Sequence, residues 1–180
     1  FARTSAMTAI VNGSLAEVRD LNRHRSLGRF IELPLVFGLP MTAETFEQIL
    51  AKGYVLPLYL TDIPEFTNLG RAVVEDLNNY YQALYNFLYW TKANFGNSID
   101  YGFMVNLLPL SHQISLWLHF DPKSSVYTPK LRYKPGGQIN YRDAAWEISR
   151  FIADSDPYFS PLKILKRPDP GSREEFFDRG

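Results

Sequence analysis

Three adjacent side chains, Arg23, His24 and Arg25, hold the densest chemistry in the chain, and Arg29 follows directly after Ser26-Leu27-Gly28. Guanidinium groups grip phosphate or carboxylate through two parallel N–H donors, and an imidazole adds a titratable group beside them. The spacing predicts an anion site. A helix over about Leu15 to His24 would bring the cluster to its C-terminal end, where cations complement the macrodipole. The plain alternative is a solvated polar face paired with Asp20 or Glu17.

A second polar cluster, Arg132, Lys134, Gln138, Asn140 and Arg142, surrounds Pro135-Gly136-Gly137. Glycines let backbone amides approach a ligand closely, although Gly-Gly after Pro is also ordinary turn chemistry. His112 beside Ser111 suggests a hydrolase, but no Gly-x-Ser-x-Gly elbow accompanies it, so no catalytic residue is assigned. The three histidines, His24, His112 and His119, are not paired at a helical ligand spacing, and no metal centre is expected.

Composition bounds the setting. With 180 residues and 46% hydrophobic content the chain can bury one core. Nineteen basic and nineteen acidic residues cancel, so no overall field draws it to nucleic acid or an anionic membrane. Cysteine is absent, which excludes disulfides and thiolate chemistry and fits a reducing compartment. No long apolar run or signal-peptide pattern occurs, so a soluble, cytoplasmic protein is expected. Beginning at Phe1 without an initiator methionine, the sequence also reads as a candidate fragment of something longer.

The elements that must position these clusters follow from periodicity. A short strand from Ser5 to Asn12 is expected to enter a turn at Asn12-Gly13, with Ser14 capping a helix whose apolar stripe is Leu15, Val18 and Leu21. Thr42 opens a second helix through Leu50, ended at Gly53. Apolar residues in threes and fours from Thr67 to about Asn94 predict a long central helix. Its late aromatics (Tyr80, Tyr81, Tyr85, Phe87, Tyr89, Trp90) suit a packed core or subunit interface better than a base-stacking box.

Gln113 to Phe120 alternates polar and apolar residues, the pattern of a half-buried strand, with His119 on the polar side or at a subunit contact. Asp121-Pro122 starts a helix that Pro129 is expected to limit to about two turns. Tyr141 to Ala153 is the last helix, with Ala144, Ala145, Ile148 and Ile152 inward, before a Pro-rich, charged tail of low order. The division is one α+β domain over 1–165, an antiparallel sheet packed with a long central helix and shorter helices, and a tail over 166–180.

The two clusters resemble a known family, the flavin-dependent thymidylate synthases, whose signature is Arg-His-Arg-x-x-Ser-x-Asn-x-x-Ser-x-Arg after a short strand and helix. Arg23-His24-Arg25 matches its opening, while the later signature positions fall on Gly28, Phe30, Leu33 and Leu35. The family's second block, Leu-Arg-x-x-x-x-Ala-Gln-x-Glu-Ile-Arg, is similar to the run from Leu131 to Arg142, matching at Arg132, Gln138 and Arg142 without a gap. There Gly137, Asn140 and Tyr141 replace alanine, glutamate and isoleucine. Between them, Ala-Arg-x-x-Leu-Pro resembles Met104 to Pro109, with Val105 in the arginine position.

The resemblance implies an α+β fold and a homo-oligomer, commonly a tetramer, that holds FAD between subunits. It implies that Arg23, His24 and Arg25 face flavin or nucleotide phosphates, and that Arg132, with Gln138 and Arg142, faces a nucleotide-like substrate. NADPH and a folate enter only if the chain is enzymatic. Because several phosphate-holding donors of the pattern are replaced, the implied substrate is a nucleotide other than dUMP. Two further readings stand beside it. One is a non-catalytic scaffold or interface domain of the same fold; the other is a binding module for a different phosphorylated ligand.

Overall fold

The computed structural model describes residues 7–21, 28–31, 40–134, 139–169 and 171; for residues 20, 21, 28–31 and 164 only the backbone is considered. The Asn12-Gly13 pair does not turn. Strand β1 (Met7–Ser14) continues through it, because Gly13 and Ser14 pair with Ile114 and Gln113 of strand β3 (Gln113–Phe120). Helix α1 (Leu15–Leu21) follows with no intervening loop. Its start is a reciprocal cap: Glu17 N–H donates to Ser14 Oγ (3.2 Å), and Ser14 N–H donates to Glu17 Oε2 (2.7 Å).

Strand β2 (Gly28–Ile31) pairs antiparallel with the other side of β3, giving a three-stranded sheet of order β1-β3-β2. The alternation of β3 holds as expected. Ile114, Leu116, Leu118 and Phe120 are buried, while Trp117 and His119 lie on the opposite face, where His119 Nδ1 is 2.8 Å from Thr8 Oγ1. The fold is α+β.

Helix α2 (Ala43–Leu50), capped by Thr42, buries Ala43, Phe46, Ile49 and Leu50; Gly53 then takes a positive φ of 73°, which ends the segment as expected. After α3 (Leu58–Asp62) comes the long helix α4 (Thr67–Phe95), close to its expected span. Gly70 is required where α4 crosses α3, since a Cβ there would stand 2.6 Å from the Leu60 carbonyl oxygen. The inward faces of β3, α2 and α4 meet Tyr101 and Met104 of a 3-10 segment (Tyr101–Leu107) in one core. Each large apolar side chain removed from water there contributes about 1.5–3 kcal/mol.

Helix α5 (Pro122–Arg132) corrects the expectation that Pro129 would stop it after two turns. Asp121 caps its start by accepting from Ser124 N–H (2.6 Å), and Pro122 occupies the first turn. Pro129 forfeits one amide donor, yet Tyr133 N–H donates to Pro129 O (2.9 Å), so the ladder resumes. Helix α6 (Ile139–Ser155) begins two residues earlier than expected and buries Ala145, Ile148 and Ile152, with Ala144 on a cavity wall.

The expected low-order tail is also corrected near its start. Pro157–Ile164 is a 3-10 segment whose Phe159 and Leu162 join the core, and Trp146 Nε1 donates to Leu165 O (3.0 Å). Arg167 then donates twice to Asp143 on α6 (2.7 and 2.9 Å). This bidentate pair holds the guanidinium above its ordinary range.

Candidate functional site

Two of the cavities bordered by the described residues have linings of opposite electrostatic character. The first, about 700 Å³, runs between β1 and α6, and carries Glu17, Asp143 and Glu147. With Asp143 paired to Arg167, Glu17 and Glu147 still disfavour a phosphate.

The second cavity, about 610 Å³, is a groove on the outer face of α5 and is the candidate functional site. Lys123, Tyr127, Lys130 and Lys134 fall at intervals of four, three and four residues, so the helical period places the first three on one face, with Lys134 just past the helix end. Seven residues separate Lys123 from Lys130, about 10 Å along a helix. Val126 and Leu131 form an apolar strip beside them, and Tyr158 closes the groove from the segment after α6. No carboxylate is part of the lining.

Tyr127 and Tyr158 are 56% and 80% exposed, and Tyr158 stands edge-on to Phe159 with ring centroids 5.2 Å apart. Ammonium groups without a lining carboxylate suit an anion, and open phenol rings suit a planar aromatic system. Together they make a cradle for a molecule that carries both, with a length on the scale of the lysine spacing. No carboxylate, histidine, serine or threonine is among the described residues that line this groove, and its ammonium and phenol groups suit binding and orientation.

Arg132 and Arg142 sit at the corner where α5 gives way to α6. The Arg132 guanidinium lies 4.8 Å above the Tyr141 ring, and Arg142 Nε–H donates to Tyr133 O (3.3 Å). The structure therefore brings these two together as a clasp between the helices, at the end of the groove marked by Leu131 and Lys134. Arg23, His24, Arg25 and Gln138 lie outside the described residues, and Arg29 is described only as the backbone partner of Leu118 in β2. Whether the early and late clusters converge is therefore outside what is described.

Asn140 departs from the polar cluster in which the sequence grouped it. It is buried, accepts from Leu58 N–H (2.8 Å) and donates to Leu56 O (3.1 Å), which anchors the approach to α3 on α6. His112 has no exposed serine partnership. It is fully buried, with Nδ1 2.6 Å from the Tyr81 hydroxyl and Nε2 without a partner among the described residues. Burial, reinforced by the Lys52 charge, lowers its pKa to about 4.

The sequence reading missed Lys123, Tyr127, Lys130 and Tyr158. The first three were visible as a helical stripe, but only if the helix continued past Pro129.

No protein-family model matches the chain, and no curated protein matches it in sequence. Solved structures do. One is a UMP/dUMP methylase, PolB, from Streptomyces cacaoi bound with 5-Br dUMP, similar at a TM-score of 0.62 and 17% identity over 92% of this chain and 74% of that one. The same methylase bound with 5-Br UMP gives 0.60 and 18%, over 87% and 73%. At this identity the likeness defines the class of fold, an α+β fold shared with a nucleotide methylase.

Proposed function

We propose that this chain is a nucleotide-binding protein of the flavin-dependent thymidylate synthase type, with the α5 groove contributing to the binding of FAD. The observation that carries this reading is the lysine and tyrosine lining of the groove next to Arg132, on a fold similar to that of a UMP/dUMP methylase. Lys123 and Lys130 suit the pyrophosphate, while Tyr127 and Tyr158 offer faces to a ring system. Arg23, His24 and Arg25 complete the cofactor site, and Gln138 with Arg132 and Arg142 orients a nucleotide-like substrate. Bound reduced flavin would supply the reducing equivalents for alkylation of the base; the residues named here bind and orient.

The protein acts as a homo-oligomer. Helix α4 has 29 residues, of which Gly70, Tyr81, Leu84, Leu88 and Thr91 are buried, and it exposes Phe87, Trp90 and Phe95 beside Phe103. Phe87 and Trp90 stack at 6.2 Å, and Phe103 meets Phe87 edge-on at 6.4 Å. An aromatic patch of this kind marks an interface. Among the described residues no helix is long and apolar enough to cross a membrane.

One observation favours the scaffold reading: Arg132 and Arg142 already make contacts within the fold. Separate titrations with FAD and with UMP or dUMP, followed by flavin absorbance and by calorimetry, decide between the two. Saturable uptake of FAD and of a pyrimidine nucleotide supports the enzyme reading. A colourless protein that takes up neither removes it.

A further inference from the structure

The acidic cavity lies along an unfinished edge of the sheet. In the order β1-β3-β2, β1 is terminal, and its outer edge has no strand partner among the described residues. Five consecutive residues, Thr8 to Asn12, line the cavity, as a strand does when its edge rather than one face borders the space. Opposite stands α6, presenting Ala144, Ile148 and Phe151 as an apolar wall and Asp143 and Glu147 above it. The approach to α3 closes one end with Leu56 and Leu58. A slot of about 700 Å³ between an open strand edge and a helix has the shape of a site for one more strand.

We infer that this slot binds an extended, lysine- or arginine-bearing segment of a separate polypeptide, which adds to β1 as a fourth strand. Backbone groups of the incoming segment pair with those of β1, which otherwise leave a row of donors and acceptors open. Alternate side chains then divide between the Ile148 and Phe151 wall and the carboxylate rim. Asp143 is already taken by the Arg167 guanidinium and Glu17 Oε2 by the Ser14 amide, so exposed Glu147 is the carboxylate that meets the incoming cation. Glu17 and Glu147 remain alongside with no cation within ion-pair distance among the described residues. A second copy approaching edge to edge would set these rims against each other, so like charge disfavours self-pairing. The inference is independent of the flavin reading.

The test is amide-resolved NMR of the full chain with three hexapeptides: alternating Lys and Val, the same peptide N-methylated at alternate residues, and alternating Glu and Val. The Lys/Val peptide is expected to shift amides over residues 8–12 and to protect the alternate ones that face away from β3. N-methylation and the Glu/Val exchange each weaken binding at least tenfold, and the exposed Glu147→Lys variant weakens it about tenfold while melting at an unchanged temperature. Equal binding of the N-methylated peptide, shifts confined to other residues, or no shift at all would overturn the inference. So would protection of those outward amides without peptide: concentration-dependent protection would assign the edge to a second copy, and concentration-independent protection to the chain itself.

Discussion

The Tyr81 hydroxyl and the His112 ring fasten the long helix to the root of the central strand: Oη lies 2.6 Å from Nδ1, and the rings stack with planes 22° apart. Tyr81 O–H also donates to Gly53 O (2.8 Å), so the imidazole is the donor at Nδ1 and remains neutral. Burial raises the Tyr81 phenol far above its ordinary value, which keeps this donor protonated at every ordinary pH.

Stability should therefore depend on pH through His112. Its pKa falls from 6.5 to about 4 on folding, so between those values the unfolded chain binds a proton that the folded chain refuses. The stabilisation is complete above 6.5 and declines as pH falls toward 4, by about 3 kcal/mol in total. Urea unfolding at pH 7.5 and 4.5 should show this decline, and His112→Gln should flatten it. Equal pH slopes in both proteins would remove His112 as the cause.

The reciprocal cap at Ser14 and Glu17 sets the start of the helix that leads toward Arg23. Ser14→Ala should lower unfolding free energy by about 1 kcal/mol. Gly13→Ala should do similar damage by a different route, since a Cβ there would stand 2.8 Å from Glu17 Oε2. Denaturant midpoints measure both, and a neutral Gly13→Ala would show that Glu17 moves aside without loss.

At the crossing of α3 and α4, Gly70→Ala meets backbone rather than a yielding side chain. A destabilisation of about 1–3 kcal/mol is expected. Gly53, where an added Cβ would meet no atom within 4 Å but φ is positive, provides a contrasting case in which strain acts without a clash.

Self-association should run through the α4 aromatics. Trp90→Ser with Phe87→Ser should shift the sedimenting species toward the monomer while leaving the helical circular dichroism intact. An unchanged mass would place the subunit contact elsewhere.

Much of the architecture was legible because it is written in local periods. The alternation of Gln113 to Phe120 gave the central strand, the threes and fours from Thr67 gave α4, and Thr42 and Asp121 marked helix starts by their capping chemistry. The site was harder to read. Pro129 argues locally for a helix end, but the cap at Asp121 and the bond from Tyr133 outweigh one missing donor, and only then do Lys123, Tyr127 and Lys130 share a face. Tyr158 reaches the groove from beyond α6, and Asn140 is held by Leu56 and Leu58 more than eighty positions away. No sequence period encodes such pairings.

The most direct test of the account is FAD binding by the wild-type chain and by the Lys123→Ala, Lys130→Ala double variant, read from flavin fluorescence at low and high salt. The account predicts saturable, salt-sensitive quenching in the wild type, weakened at least tenfold in the variant at an unchanged melting temperature. Failure of the wild type to bind FAD, or equal affinity in the two proteins, would contradict it.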